Sequence, residues 1–399
     1  MFAQPARPDS KSAAATKAAH DAVSLFPRGD QVLDSEDRAA KADPADRIEH
    51  REVDDENEDR STSHAIGRRD EEAEPPRYLL HRAIIFRRGW LDKGPLAKPV
   101  DRPQISIMSG PSFSLVPHRG VIAIGGPDRV DFLQGLISND TTKVAPGRAI
   151  WAALLTAQGR FLNDMFVADG GNDTLLLETE RARAPALAKK LGLYKLRSKV
   201  TVEDRSAAMD VAVVFGPGAE TVLPLAGGVA FVDPRLPELG VRLLAPASQA
   251  TALLAARGVV AAPIEAYDAL RLRLGVPDGS RDLVVDKALL LENGFDELNG
   301  VDWQKGCYMG QELTARTKYR ALIRKRLFPV RIEGALPEPG TAIFKNGQEV
   351  GELRSGSGSR ALAMLRLDAV QAGQELKAGE TGVVPEIPDW MRLPETTAP

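Results

Sequence analysis

The chain changes character near residue 108, and this change limits where a hydrophobic core can form. Residues 1–107 contain 18 basic and 21 acidic residues, with acid-rich runs at 54–59 and 71–76 and little apolar periodicity. Such a segment cannot bury enough apolar surface to offset the entropy it would lose on folding. We therefore predict that residues 1–107 form a disordered, charged extension.

The composition also bears on the cellular location of the protein. A mitochondrial presequence is poor in acidic residues, which residues 1–107 are not, so the sequence favours a cytoplasmic location. An alternative is that translation begins at Met108, directly before the first well-patterned segment. No stretch approaches the roughly 18–20 apolar residues of a membrane span, so no membrane partner is expected.

After residue 108 the pattern predicts an α+β fold. Short apolar segments are separated by turn residues, and a strand at 120–124 leads into a helix that Pro127 opens. Residues 157–160 are predicted to form a hairpin turn. The order βαββα between about 205 and 262 suits a ferredoxin-like subdomain. Beyond residue 325, alternating segments with Gly-rich turns predict a small all-β module.

Missing residue types narrow the possible chemistry. Four of the five histidines lie in the extension, at positions 20, 50, 64 and 81, so a histidine-based triad or a two-histidine metal site is disfavoured. Cys307 is the single cysteine of the chain, which excludes an intramolecular disulfide. It also excludes a metal or cluster site built only from this chain's thiolates.

The single thiol lies in the densest motif of the sequence, Lys305-Gly306-Cys307-Tyr308-Met309-Gly310-Gln311-Glu312. Two flanking glycines and a lysine two residues away would let amides and a cation approach the sulfur, which favours a reactive thiolate. The alternative is a buried cysteine that packs as a small hydrophobe.

This motif resembles the K-G-C-Y-x-G-Q-E signature of the YgfZ family. That family comprises bacterial folate-binding relatives of mitochondrial iron–sulfur assembly factors and, more distantly, of the glycine-cleavage T-protein. Three further segments match its pattern in the right order, at 132–140, 194–200 and 271–277, and the basic segment 315–320 follows the motif as expected. The resemblance covers 113–385.

The resemblance implies a T-protein-like, GcvT-like folate-binding domain over 108–325 and a C-terminal β-barrel over 326–399, enclosing a channel for tetrahydrofolate. Glu292 occupies roughly the position of the family's pterin-binding glutamate, although the family's nearby proline is missing. The alternative is that Glu292 is a solvated loop acid. The remaining folate contacts implied are Arg197, Tyr308, Gln311 and Arg316. The basic cluster around Arg316 could instead grip RNA phosphates or solvate a surface, and nucleic-acid binding is the weakest of these alternatives.

Asp164 raises a second possibility. Asn163 and Asp164 fall where the T-protein has an acidic pair that assists aminomethyl transfer, and strand alternation predicts that Asp164 faces away from Phe161 and Met165. It could equally be a half-exposed strand acid. The sequence thus predicts a folate-binding protein that supports assembly or repair of iron–sulfur clusters in client enzymes, including those that thiolate tRNA. In this prediction Cys307 acts as a nucleophile or transient ligand, and Lys305 favours its thiolate form. The alternative is an aminomethyl- or methyltransferase that acts through Asp164.

Overall fold

The fold is described from a computed structural model, which covers residues 110–320, 323–370 and 375–393. Within these residues the chain forms two five-stranded sheets and one closed six-stranded barrel. The extension predicted for residues 1–107 lies outside the described residues. Among the described helices, none is both long and apolar enough to cross a membrane.

The first sheet is antiparallel, with the strand order β3-β4-β5-β2-β6. Its strands are β2 (Arg119–Gly125), β3 (Ile150–Leu155), β4 (Phe161–Gly171), β5 (Thr174–Glu180) and β6 (Thr201–Asp204). Helices α1 (Arg129–Gln134) and α2 (Ala184–Tyr194) pack on one face through a buried cluster that includes Leu133, Leu187 and Leu191. The predicted hairpin at 157–160 is confirmed, because it joins β3 to β4.

The second sheet has the order β10-β1-β7-β9-β8. Its strands are β1 (Ser112–Leu115), β7 (Met209–Phe215), β8 (Val229–Val232), β9 (Val241–Pro246) and β10 (Val260–Ala261), and helix α3 (Ala250–Ala255) packs on it. Two details differ from the expected βαββα subdomain. The helix predicted after β7 is only a short 3-10 turn, Ala219–Val222, and β1 inserts between β10 and β7. A pairing partner so far away in the chain leaves no local sequence pattern.

Helix α4 (Ile264–Leu274) and helix α5 (Gln311–Tyr319) connect the sheets to the barrel. The barrel order is β11-β14-β13-β12-β15-β16, which confirms the predicted all-β module. Its strands are β11 (Lys325–Glu333), β12 (Ala342–Lys345), β13 (Gln348–Ser357), β14 (Arg360–Arg366), β15 (Leu376–Ala378) and β16 (Thr381–Pro385). Closure pairs every strand on both sides, so the described barrel has no open edge.

Different loops meet at the two ends of the first sheet. At one end, the β3–β4 turn contacts Gly310, which begins α5: a Cβ on Gly310 would lie 2.4 Å from the carbonyl oxygen of Thr156. At the other end, the loop after β2 meets the β4–β5 turn through a bond from the Gly126 amide to the Asp173 carbonyl. The motif around Cys307 therefore lies at the first end.

Candidate functional site

Cys307 lies on the surface, in a loop whose neighbouring residues are alternately buried and exposed. Gly306 and Cys307 are exposed, whereas Lys305 and Tyr308 on either side are buried, at 8% and 6% exposure. Beyond them, the Met309 amide donates to the Gly135 carbonyl oxygen at 3.1 Å. The alternative of a cysteine packed in the core is therefore wrong, since the loop presents its thiol to solvent and holds it from both sides.

Lys305 fastens this loop to the first sheet. Its ammonium donates to the carbonyl oxygens of Gln134, Ile137 and Asn139, at 2.8, 2.6 and 2.8 Å. Burial lowers the pKa of Lys305 to about 8, against the opposing effect of the Asp140 and Asp302 carboxylates. These bonds direct the charge toward the main chain at the end of α1, so they make Lys305 a positioning residue for the loop.

Asp302, which the sequence analysis missed, fixes the same loop from its other side. One carboxylate oxygen accepts from the amides of Gln304 and Lys305, at 2.7 and 3.1 Å, and the other forms an ion pair with Lys143. A single aspartate three residues before a lysine is too common a pattern to mark this role. Within the described part of the chain, no three His, Cys, Asp or Glu side chains converge to hold a metal ion.

Replacing Lys305 by methionine should loosen the loop. The change leaves three carbonyl acceptors without their donor, so we expect a loss of about 1–3 kcal/mol in the free energy of unfolding. It should also speed alkylation of Cys307 in the native protein. Denaturant unfolding and iodoacetamide kinetics would measure both effects. Lys377→Met is the control, because Lys377 lies in the barrel and both partners of its ion pair with Glu375 are exposed, at 55% and 71%. Equal effects of the two variants would contradict the anchoring role.

Tyr308, Gln311 and Arg316, which were predicted to contact folate, lie in the Cys307 loop and α5. The Gln311 side-chain oxygen accepts from the Tyr308 amide at 3.3 Å, and Arg316 is exposed. Arg197 is also exposed, but it follows α2 at the opposite end of the first sheet. The structure therefore groups the motif residues together and leaves Arg197 apart from them.

Asp164 lies in the protein interior and is 1% exposed. One of its oxygens accepts from Arg119 at 2.9 Å and the other from the Trp151 indole at 3.2 Å. The predicted orientation is confirmed for Met165, which packs in the cluster on the other face, but was wrong for Phe161, because a bulge opposite Leu154 and Leu155 places Asp164 on the same face as Phe161. With both oxygens occupied by buried donors, Asp164 is not placed to take a proton from a substrate.

Around Asp164, the interior is filled by ion pairs. Glu178 is fully buried and accepts from Arg119 and Arg242, the first at 3.1 Å. Further carboxylate contacts continue outward from this centre. Arginines pair Asp233 with Arg235 and Arg242, Asp278 with Arg281, and Asp268 and Asp282 with Arg271, and His118 also bonds to Asp278. The cavity left beside Asp164 measures about 20 Å³. That volume holds about one water molecule.

The buried carboxylates should make the fold sensitive to acid. Burial raises the pKa of Asp278, but the His118 hydrogen bond and three nearby arginines outweigh it and hold the pKa well below 3.8. The pKa of Asp233 is also lowered, because Arg235 and Arg242 outweigh its burial. As the pH falls below about 4, the unfolded chain takes up protons first, so stability falls by about 1.4 kcal/mol per pH unit for each such group.

Urea unfolding between pH 7 and pH 2.5 would test this expectation. The Asp278→Asn variant should show a shallower decline than the wild type, since one of the linked protons is then absent. A flat stability curve in the wild type would contradict it.

Glu292 is half-buried and lies in the short 3-10 helix Leu291–Asn293. Trp151, which donates to Asp164, stacks on Phe295 with ring centroids 3.8 Å apart, and Phe295 follows Glu292 by three residues. Burial raises the pKa of Glu292, whereas the charges of Lys325 and Arg160 oppose the rise.

The residues around Asp164 do not leave enough space for tetrahydrofolate. A pterin-containing ligand needs a pocket of roughly 300 Å³ or more, against the 20 Å³ cavity found beside Asp164. Two larger hollows, of about 470 and 430 Å³, open away from Asp164. The first borders the cysteine loop through Asp302 and Gln304, and the second is lined in part by Thr317 and Lys318 of α5. Neither is lined by any of the eight residues that the sequence analysis assigned to the site.

Comparison with known proteins identifies two families within the chain. Residues 116–231 match the GCVT N-terminal domain, and residues 324–393 match the C-terminal beta-barrel domain of CAF17. A solved aminomethyltransferase T of the glycine cleavage system from Bartonella henselae superposes with a TM-score of 0.58 at 18% identity, over 69% of this chain and 84% of that one. The expected GcvT-like α+β fold with a C-terminal barrel is confirmed.

Two curated relatives, from mouse and human, are named iron-sulfur cluster assembly factor IBA57. The mouse protein is 36% identical over 301 residues, which cover 68% of this chain and 83% of the relative. The human protein is 36% identical over 298 residues, with the same two shares. Both are mitochondrial proteins by name, so the predicted cytoplasmic location is wrong. That prediction depended on the acidic residues of the extension, which lie outside the described residues.

Proposed function

Because this chain belongs to the iron-sulfur cluster assembly factor IBA57 family, we propose that it supports cluster assembly in iron–sulfur enzymes through the exposed thiol of Cys307. The proposal rests on one observation: Cys307 is exposed, whereas Lys305 and Tyr308 on either side of it are buried. A thiol at the surface, fixed by buried neighbours on both sides, suits contact with a partner protein. The mitochondrial names of the relatives support a mitochondrial location.

A cluster contact at Cys307 must be shared. Iron–sulfur clusters are held by several ligands, most often four cysteine thiolates, and this chain supplies one. The other ligands would therefore come from a partner protein or a second copy of this chain. The exposed position of Cys307 leaves room for such a second set of ligands.

Cells that lack this chain would test the proposed function. Their iron–sulfur enzymes should lose activity while cluster-free enzymes keep theirs, and expression of the chain should restore the loss. The YgfZ resemblance adds tRNA-thiolating enzymes to the proposed clients, which thiolated-nucleoside analysis of tRNA in the same cells would test. Normal activity of iron–sulfur enzymes in the deficient cells would contradict the proposal.

The same proposal assigns no step to tetrahydrofolate. Ligand that binds the native state raises its stability, so the small cavity beside Asp164 predicts that any rise in the melting temperature of the full chain with 1 mM tetrahydrofolate under anaerobic conditions is the same in the wild type and in the Asp164→Asn variant. A rise of several degrees that the variant loses would contradict this and restore folate to the mechanism. Transfer chemistry through Asp164 has no support from the geometry either, because Arg119 and Trp151 occupy its oxygens.

A further inference from the structure

The end of α2 and the turn after it, residues 193–199, form a surface that the proposed function does not use. We name it the α2 tip. Leu193 is 69% exposed, Tyr194 is 37% exposed and Leu196 is 87% exposed. Leu196 has the highest exposure of any large apolar side chain in the described residues. Three such residues within four positions make a local apolar patch on the surface.

Positive charge surrounds this apolar patch. Residues 181–200 contain seven basic and no acidic residues. The seven are Arg181, Arg183, Lys189, Lys190, Lys195, Arg197 and Lys199. Arg181 and Arg183 are held by main-chain carbonyls and Glu180, whereas the other five form no ion pair within the described residues. Two carboxylates lie nearby: Asp128 accepts from the Lys199 amide, and Asp173 pairs with Arg129.

The turn is fixed in the conformation that exposes Leu196. Leu196 has φ +41°, in the left-handed region that leucine rarely adopts. The Ser198 amide donates to the Lys195 carbonyl at 2.7 Å, and the Lys199 amide donates to the Asp128 carboxylate at 2.7 Å. The next residue, Val200, is buried at 6% exposure. A rare backbone conformation held by these contacts directs an apolar side chain into solvent, which a rigid binding surface requires.

We propose that the α2 tip docks an acidic segment of a partner protein, one that carries an apolar side chain between its carboxylates. The leucines would supply the central apolar contact, and the five free cations would surround it with complementary charge.

Two other occupants fit the observations less well. Single-stranded nucleic acid would be expected to stack on aromatic side chains, and the α2 tip offers one tyrosine beside two leucines. A membrane-binding helix exposes an apolar face along its length, whereas the apolar face of α2 is buried through Ala184, Leu187 and Leu191. An acidic protein segment is therefore the occupant favoured.

The α2 tip is remote from the cysteine loop. Gly310 contacts the turn before β4, and the α2 tip adjoins the Gly126–Asp173 contact after it. An 11-residue strand spans roughly 35 Å. The docked segment would therefore bind at a surface separate from Cys307, so its loss should leave the reactivity of the thiol unchanged.

Site-specific photocrosslinking in cells would test this inference. The full chain would carry a benzoylphenylalanine crosslinker at position 196, and a matched chain would carry it at the exposed Ile387 of the barrel side. Mass spectrometry would identify the crosslinked segment. We expect an acidic protein segment at position 196, absent at 387 and lost in the Lys195→Glu/Arg197→Glu variant. The same segment as a synthetic peptide should bind the full chain at least tenfold more weakly after Leu193→Ser/Leu196→Ser, while Ile387→Ser has no effect.

Other outcomes would overturn the inference. These are crosslinks to lipid or RNA, crosslinks at 196 no stronger than those at 387, or peptide binding that the Leu193→Ser/Leu196→Ser variant does not weaken. The alkylation rate of Cys307 should be the same in the wild type and in both tip variants. Because that rate and the client-enzyme assay concern Cys307, a failure of the proposed function would be seen separately.

Discussion

Cys307→Ala should abolish the ability of this chain to restore iron–sulfur enzyme activity in deficient cells. The side chain is exposed, so its truncation should change the free energy of unfolding by less than about 0.5 kcal/mol. The expected loss therefore reflects the missing ligand or nucleophile and not a damaged fold. Enzyme activity in cell extracts, together with denaturant unfolding of the purified variant, would separate the two causes.

The control for this substitution lies in the same loop. Gln304 is exposed three residues before Cys307, so Gln304→Ala changes the loop surface but retains the thiol. It should restore activity as the wild type does. Full restoration by Cys307→Ala would reject the role of the sulfur, and a failure of both variants would indicate that the loop surface matters instead of the thiol.

Glu178→Ala should cost about 3–5 kcal/mol of the free energy of unfolding, the largest effect on stability that we expect. Glu178 is fully buried and accepts from Arg119 and Arg242, so its removal leaves two guanidinium groups inside the protein without their shared carboxylate. The magnitude reflects the desolvation of these unpaired charges more than the attraction that is lost. Urea or guanidinium unfolding would measure it.

Glu180→Ala is the matched control, since Glu180 lies two residues further along the same strand. Its ion pair with Arg183 is partly solvated, at 20% and 25% side-chain exposure, so we expect a loss of no more than about 1 kcal/mol. A similarly small loss for Glu178→Ala would show that the buried network contributes little to stability. In that case the closed interior around Asp164 could open at low cost, and the argument against a bound folate would weaken.

The accuracy of sequence reasoning differed between elements for physical reasons. The strand before Pro127, the helix after it and the hairpin at 157–160 were predictable because their turn residues and apolar periodicity are local. The position of β1 in the second sheet was not, because pairing between Ser112 and Phe215 depends on chain closure over a hundred residues. The orientation of Asp164 relative to Phe161 was predicted wrongly because a one-residue bulge between them reverses strand alternation and has no sequence marker here.

At the site, too, local features could be predicted from the sequence and most tertiary contacts could not. The motif spacing located Cys307, and the resemblance gave the family of folds. Neither could reveal that Lys305 bonds to the main chain at the end of α1, or that Asp302 fixes the loop from its other side. The Lys305 bonds to the main chain at the end of α1 and the Asp302–Lys143 ion pair join segments that are more than 150 residues apart in the chain.

The sequence by itself determined the local elements and the single thiol that any cluster chemistry must use, because both depend on residue type and short-range spacing. The tertiary structure alone decided whether that thiol is exposed and whether the interior contains a cavity. The exposure of the thiol and the size of the cavity both depend on which side chains, far apart in the sequence, come into contact. The buried arginines and carboxylates come from separate strands and loops, and their charges are satisfied only when the fold brings them together to fill the space beside Asp164.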